Sequence, residues 1–215
     1  MNATGTTTKD RILDAAEGLL AKHGFEATSL RAITAAAGVN LAAVNYHFQS
    51  KGALIRAVIA RRIGPINEKR LEMLDAIEAD AGDGPLPIAT VIEAFVGPVI
   101  EVRNKAQGFA PIMGRVFNEN AEFAQRFFQD HLSVVAQRFT AAFERAVPGL
   151  PKEEVLWRAF FLIGAMAHTL VLGDLLKIFS GGLCRTDDVD QMVKRTVEVF
   201  TAAFQAPHGE KANAM

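Results

Sequence analysis

The sequence predicts an all-α protein of about nine helices, a small three-helix head followed by a larger helical domain. Three observations carry this. Apolar residues recur at three- and four-residue intervals, the spacing of one helix face, and little of the chain alternates as a strand would. The breaks between these stretches are short clusters rich in Gly, Pro, Asn and Ser. Finally, 152–179 is apolar nearly all round, the pattern of a helix covered on every side. Half of the 215 residues are hydrophobic, enough to build one large core or two small ones.

In chain order, Met1–Thr8 is a Thr-rich tail, long enough to follow a nucleic-acid backbone but without the Arg residues of a minor-groove arm. A first helix is expected over Thr8–His23, burying Ile12, Leu13, Ala16, Leu19 and Leu20, with Gly24 stopping it and Phe25 plugging the small core. Ser29 can cap the next helix, in which Leu30, Ile33, Thr34 and Ala37 share a face. Gly38 stands where a left-handed residue is wanted, and Asn40 can cap a third helix over Leu41–His47.

Two short helices joined by a Gly-containing turn form a helix-turn-helix, whose second helix reads a DNA major groove. Leu41, Ala42, Ala43, Asn45 and Tyr46 are small or able to hydrogen bond, and none is acidic. Ala42 and Ala43 let the backbone come close to bases, Asn45 can pair with a base edge, and Tyr46 and His47 can reach phosphates. Val44 and Phe48, four apart, anchor the helix to the bundle. Ser50 can cap a fourth helix, and Lys51 adds charge at that phosphate-accepting N-terminus. The candidate DNA-binding set is therefore Ser29, Asn40, Leu41, Ala42, Ala43, Asn45, Tyr46, His47 and Lys51.

Residues 9–62 resemble the DNA-binding domain of the TetR family of bacterial repressors. The matching pieces are R-I-L-D-A-A at 11–16, H-G-F-E-A-T-S-L at 23–30, A-G-V-N at 37–40 and Y-H-F-Q-S-K at 46–51, in the family's order and spacing. One departure matters: Asn45 stands where the family commonly has a backbone-contacting Tyr, so that contact is lost or replaced by base reading. The stretches 37–48, 53–55 and 156–167 also look like a subgroup of fatty-acid-responsive repressors. That likeness implies a long-chain fatty acid or acyl-CoA as effector.

Charge is unevenly shared. Residues 1–62 carry eight Lys or Arg against four acids, while the remainder carries 15 against 20, and no acid occurs from Ala27 to Arg62. A local basic face is what phosphate binding requires, and a chain net charge of −1 does not oppose it. The fourth helix continues through Leu54, Ile55, Val58 and Ile59 until Gly64-Pro65 kinks or interrupts it, placing the domain boundary there: 1–62 for DNA, 63–215 for ligand and dimerisation. Residues 67–79 resume as a helix with solvated charges.

Residues 81–87 are the clearest loop, and further helices are expected over Ile88–Lys105, Phe109–Asn118, Ala121–Val147, Lys152–Phe179 and Asp187–Phe204. Pro148-Gly149-Leu150-Pro151 and Ser180-Gly181-Gly182 separate the last three, and the tail from Pro207 is polar. An apolar helix such as 152–179 is hard to bury in one small chain, so it predicts a partner surface. With the apolar stripe of the last helix it makes a four-helix homodimer interface of Phe160, Ile163, His168, Val171, Val193, Val197 and Phe200. The remaining Phe and Met residues are mostly core, but Phe95, Val99, Phe109, Met113, Phe117, Phe127, Phe128, Phe161 and Met166 also suit a pocket for an apolar effector. Arg115, Arg126, His131 and Arg158 are its candidate polar contacts, more simply read as solvated or ion-paired.

A single cysteine, Cys184, excludes an intramolecular disulfide and a Cys-rich zinc site, in keeping with a reducing cytoplasm. The polar N-terminus is no signal peptide, and the uncharged apolar run at 159–173 is too short for a membrane span. No nucleophile elbow, His-x-x-x-His pair, phosphate loop or paired carboxylates point to catalysis, and no cofactor or metal is implied. The expected partners are thus operator DNA, a hydrophobic small molecule and a second copy of the chain. The alternatives are a regulator with no effector or with an aromatic, drug-like one, and a helical lipid carrier that retains the motif as scaffold.

Overall fold

The computed structural model describes residues 7–105 and 121–208, which hold nine helices and no strand. Helix α1 spans Thr8–Ala27. Its first turn is closed reciprocally: Asp10 N donates to Thr7 Oγ1 at 3.1 Å, and Thr7 N donates to Asp10 Oδ2 at 3.2 Å. That satisfies two of the N–H groups a helix start leaves over. Gly24, at φ 81° and ψ −178°, kinks α1 one residue after the expected end, and the helix then resumes to Ala27. Such a φ is available to glycine at little cost. Thr28 secures the kink, its hydroxyl donating to the Gly24 carbonyl at 2.6 Å from a buried position. The side chain of Phe25, expected to fill the core here, lies outside what is described.

Helices α2 (Leu30–Ala37) and α3 (Leu41–Phe48) pack on α1 and on each other. Ile12, Ala16, Ile33 and Val44 have no exposed surface, and Leu20 and Phe48 are buried with them. This is the expected three-helix head.

Helix α4 runs without interruption over Lys51–Ala81, with Pro65 inside it. Of the kink or interruption expected at Gly64-Pro65, the interruption is not there. A proline removes one rung of the ladder, but Ile63 and Ile66 on either side are buried and tie the helix down. Over 67–79 the charges Glu68, Lys69, Glu72 and Asp75 are exposed as expected, whereas Arg70 is buried, and so is its neighbour Asn67.

The remaining helices are α5 (Ile88–Lys105), α6 (Ala121–His131), α7 (Ser133–Ala146), α8 (Lys152–Phe179) and α9 (Val189–Gln205). Helices α5 and α8 have the expected bounds. The single helix expected over 121–147 is two, parted at Leu132 (φ −119°, ψ −18°), and the helix expected over 109–118 lies outside the described residues. Helix α9 starts at Val189 because Asp188 caps it, accepting from Gln191 N at 3.0 Å.

The chain divides into two compact units. The first holds α1–α3, α4 as far as Pro65, and α6, in which Phe127 is buried against the His131 ring at 5.1 Å. The second holds α4 from Ile66, α5, and everything from Leu132 onward. Its core is aromatic. Phe95 lies 5.0 Å from Phe139, and Phe143 stacks on Phe204 at 4.8 Å, with Leu74, Ile92, Val155 and Leu162 fully buried around them. Arg138 ties α7 to α4 through Asp75 and Glu78 at 2.6 and 2.8 Å.

Candidate nucleic-acid interface

The geometry of the head follows from local chemistry at each end of α2 and α3. Ser29 Oγ accepts from Ala32 N at 3.1 Å, which starts α2. Gly38 ends it in the left-handed conformation (φ 63°, ψ 41°), so that Val39 N can donate back to the Thr34 carbonyl at 3.0 Å. Asn40 Oδ1 then accepts from Ala43 N at 2.9 Å and starts α3. Two capping residues and one glycine therefore set the angle at which α3 is presented.

Val44 and Phe48 hold the inner face of α3 in the core, as expected. The outer face carries Leu41, Ala42, Asn45 and Tyr46, all exposed, with Tyr46 84% exposed and its ring edge-on to His47 at 5.1 Å. Ser29 and Asn40 are exposed beside them, while Ala43, His47 and Lys51 are half-buried. Ser50 Oγ accepts from Ala53 N at 3.1 Å and caps α4, placing Lys51 in its first turn. Between α3 and α4 stands Gln49, with φ 64° and ψ −35°. A non-glycine residue held at positive φ is a local strain that nothing in the composition announced.

The basic face is narrower than the residue count suggested. Arg61 donates to Asp14 and Glu17 at 2.7 and 2.5 Å, and Arg62 also pairs with Glu17. Burial pulls the Arg61 pKa down, but the bonds from those two carboxylates outweigh it and hold the guanidinium more firmly protonated. These two arginines brace α4 against α1; Lys9, Arg11 and Lys22 on α1 and Arg31 on α2 are exposed, and Lys51 and Arg56 on α4 are half-exposed.

Residues 12–58 match the family model described as "Bacterial regulatory proteins, tetR family", and residues 93–203 match "Tetracyclin repressor-like, C-terminal domain". The chain belongs to the TetR family. A stretch of 54 residues is 39% identical to the probable HTH-type transcriptional regulator YttP of Bacillus subtilis (strain 168) and spans about a quarter of either chain. The fold is similar to that of SmeT, the repressor of the Stenotrophomonas maltophilia multidrug efflux pump SmeDEF (TM-score 0.65, 22% identity, covering 92% of this chain and 90% of that one). It is also similar to a FadR from Bacillus subtilis in complex with stearoyl-CoA (TM-score 0.62, 13% identity, 90% and 97% covered).

The candidate effector residues of this TetR family chain that are described are divided between the two units. Phe95 and Val99 are buried in the second unit, and Met166 is half-buried there. Phe127 is buried in the first unit, whereas Phe128 and Phe161 are exposed, Phe161 stacking on Trp157 at 5.7 Å. Phe109, Met113, Phe117 and Arg115 lie outside the described residues. What the structure does bring together is Phe95, Met166 and a residue the sequence reading passed over, Arg70. Its guanidinium lies 4.3 Å from the Phe95 ring centre, and Nε donates to the Phe95 carbonyl at 2.7 Å. The signal was its position: Ile63, Ile66, Arg70 and Leu74 fall on one helical stripe, three apolar residues and a cation.

A separate half-open groove of about 420 Å³ lies between α5 and α9, floored by Gly97, Pro98, Val193 and Val197. Glu93, Glu101, Asp190 and Glu198 rim it, with Lys194. None of the Phe or Met residues proposed for an effector lines it.

The candidate dimer residues fall into two groups. On α8, Phe160 is 64% exposed, and His168 and Val171 are exposed with Trp157, Leu172, Leu175, Leu176, Ile178 and Phe179. Ile163 instead turns partly into its own core, as do Val193, Val197 and Phe200 of α9. The stripe of α9 is therefore largely used within the chain, and its exposed apolar residue is Val199. By length and composition alone α8 would also pass as a membrane span, and 17% of its most apolar window is buried. Arg158 is not solvated but is ion-paired, 3.5 Å from Glu154, and from its buried position it donates to three carbonyls at the end of α9.

Proposed function

We propose that the protein is a dimeric, effector-controlled transcriptional regulator, most simply a repressor, that reads a palindromic operator with α3. The observation that carries this is the outer face of α3. It is a capped helix with an exposed, acid-free N-terminal half of Leu41, Ala42 and Asn45, next to Tyr46 and the Lys51 turn. A helix of that build enters a major groove, and the N-terminus of α4 accepts a phosphate. Residues 1–62 serve DNA binding and 63–215 serve effector binding and dimerisation, and the protein works in the cytoplasm where its operator is.

The exposed apolar face of α8 supports the dimer, since a run from Trp157 to Phe179 is more apolar surface than a monomer ordinarily leaves open. A dimer would let two α3 helices read operator half-sites about one DNA turn apart, roughly 34–36 Å. The relatives in complex with stearoyl-CoA or controlling an efflux pump favour a hydrophobic effector, a fatty acid or acyl-CoA being the first choice. An effector would act by binding the DNA-competent and DNA-incompetent states with different affinity.

The test is a gel shift with purified protein and the DNA upstream of its own gene, with and without oleate or oleoyl-CoA. A specific shift released by the lipid is expected. A shift indifferent to every lipid would leave a regulator and remove this effector class, and no specific shift at moderate salt would overturn the DNA-binding reading.

A further inference from the structure

Two cations are buried among the described residues, Arg70 and Arg158, and they are satisfied very differently. Arg158 gives one nitrogen to three backbone carbonyls and lies 3.5 Å from Glu154. Arg70, 5% exposed, has one strong hydrogen bond among the described residues, from Nε to the Phe95 carbonyl. Among the described residues its two outer nitrogens make only long contacts, Nη1 to Asn67 Oδ1 at 3.4 Å and Nη2 to Met166 Sδ at 3.8 Å. No carboxylate among the described residues reaches it. Burial brings its pKa down to about 9, still above neutrality, so the group is charged where the protein works.

A buried, charged guanidinium normally has an anion on it, because the cost of taking the charge out of water is otherwise uncompensated. The open edge of Arg70, its two Nη atoms, is the edge that receives a carboxylate through two parallel bonds. Around it stand the Phe95 ring and the flexible Met166 thioether, an apolar lining that can give way to an inserted chain. The groove between α5 and α9 offers the opposite electrostatics, with four carboxylates on its rim.

We propose that Arg70 is the anion anchor of the effector site, taking the carboxylate of a small amphipathic acid whose apolar body lies against Phe95 and Met166. One buried monovalent cation matches one carboxylate. It does not match the several phosphates and the nucleotide of a coenzyme A ester. The inference therefore deepens the effector-controlled reading, on which it rests, and narrows the class to free acids, aliphatic or aromatic.

The test uses the full chain and calorimetric binding of oleate, methyl oleate, oleoyl-CoA and 2-naphthoate to wild type, Arg70→Met and Arg70→Lys. The wild type should bind an acid about tenfold or more tighter than methyl oleate, the size of a lost charge-assisted hydrogen bond. Oleate against naphthoate then tells an aliphatic acid from an aromatic one. Arg70→Met should abolish the acid-over-ester preference, and Arg70→Lys should keep part of it. The preference is read on wild type as well, so poor folding of Arg70→Met does not decide the matter. An equal affinity for acid and ester, a preference for oleoyl-CoA over both acids, or an unchanged preference in Arg70→Met would each overturn the proposal. If operator DNA is still shifted specifically in those cases, the regulator reading stands and only the anchor falls.

Discussion

The guanidinium of Arg158 donates to the carbonyl of Phe204 at 2.9 Å, and through the same nitrogen to those of Ala203 and Ala206. A helix end leaves several carbonyls without partners, and a positive charge there also opposes the negative end of the helix dipole. One side chain of α8 thus closes α9 and fixes the site where Phe204 stacks on Phe143.

Removing that closure should be costly. Arg158→Ala is expected to destabilise the protein by about 3 kcal/mol, the scale of charge-assisted bonds with buried carbonyls left unpaired. Urea unfolding followed by circular dichroism checks this, and a loss within experimental error of zero would mean that water replaces the guanidinium.

Gly38 is required for its conformation and not for space, since nothing lies within 4 Å of where a Cβ would stand. Gly38→Ala should therefore cost about 1–2 kcal/mol from backbone strain at φ 63° alone, and Gly38→Asn less. Thermal melting of the three proteins gives the order. A melt in which alanine is as good as glycine contradicts the left-handed turn.

Phosphate contacts and base contacts should separate in mutants. Lys51→Ala is expected to weaken binding evenly across sequences and reduce the slope of log affinity against log salt by about 1. Asn45→Ala should instead change which operator variants are preferred, by about 1–3 kcal/mol at one base pair. Quantitative gel shifts over a salt series and a panel of single-base variants distinguish the two, and identical profiles would remove both roles.

The face of α8 predicts a mass change. Phe160→Asp, at an exposed position that packs edge-on to Trp157 at 6.2 Å, should convert dimer to monomer in sedimentation equilibrium while the helical content holds. A variant that stays dimeric at micromolar concentration would move the interface elsewhere.

A carboxylate at the start of α9's lead-in gives a pH marker. The hydrogen bond from Arg185 and the adjoining backbone bond hold Asp187 down at about 2, below its ordinary 3.8. A depressed carboxylate contributes stability that is present above its unfolded pKa and is lost as pH falls through the folded one, so this contact weakens between about pH 4 and 2. The carboxyl carbon of Asp187 followed by NMR should titrate near 2, and in Arg185→Met it should return towards 3.8.

Legibility in the sequence followed how local each cause was. Ser29, Gly38, Asn40 and Ser50 could be read directly, because a cap or a left-handed turn is decided by one residue and its near neighbours. Gly64-Pro65 was misleading for the same reason: the local signal for a break was real, but burial of Ile63 and Ile66 outweighed it. The break at Leu132 has neither glycine nor proline to announce it. Arg70 and Arg158 were hidden more deeply, since a charged side chain reads as solvated until the helices that surround it are known. On α3, Tyr46 and Asn45 were placed on the outer face from spacing alone, while the half-burial of His47 depends on packing that spacing does not contain.

Pro65 has no amide hydrogen, so the Arg61 carbonyl four residues earlier has no rung to accept within α4. The helix is continuous in shape but not in bonding, and the division between the two units falls at that residue. In hydrogen exchange, the amides beside the gap should open at lower free energy than those around Leu54 or Leu74, which have no exposed surface. A thirty-one-residue helix would then trade deuterium as two separate segments, its middle wearing out first under a protease or a rise in temperature.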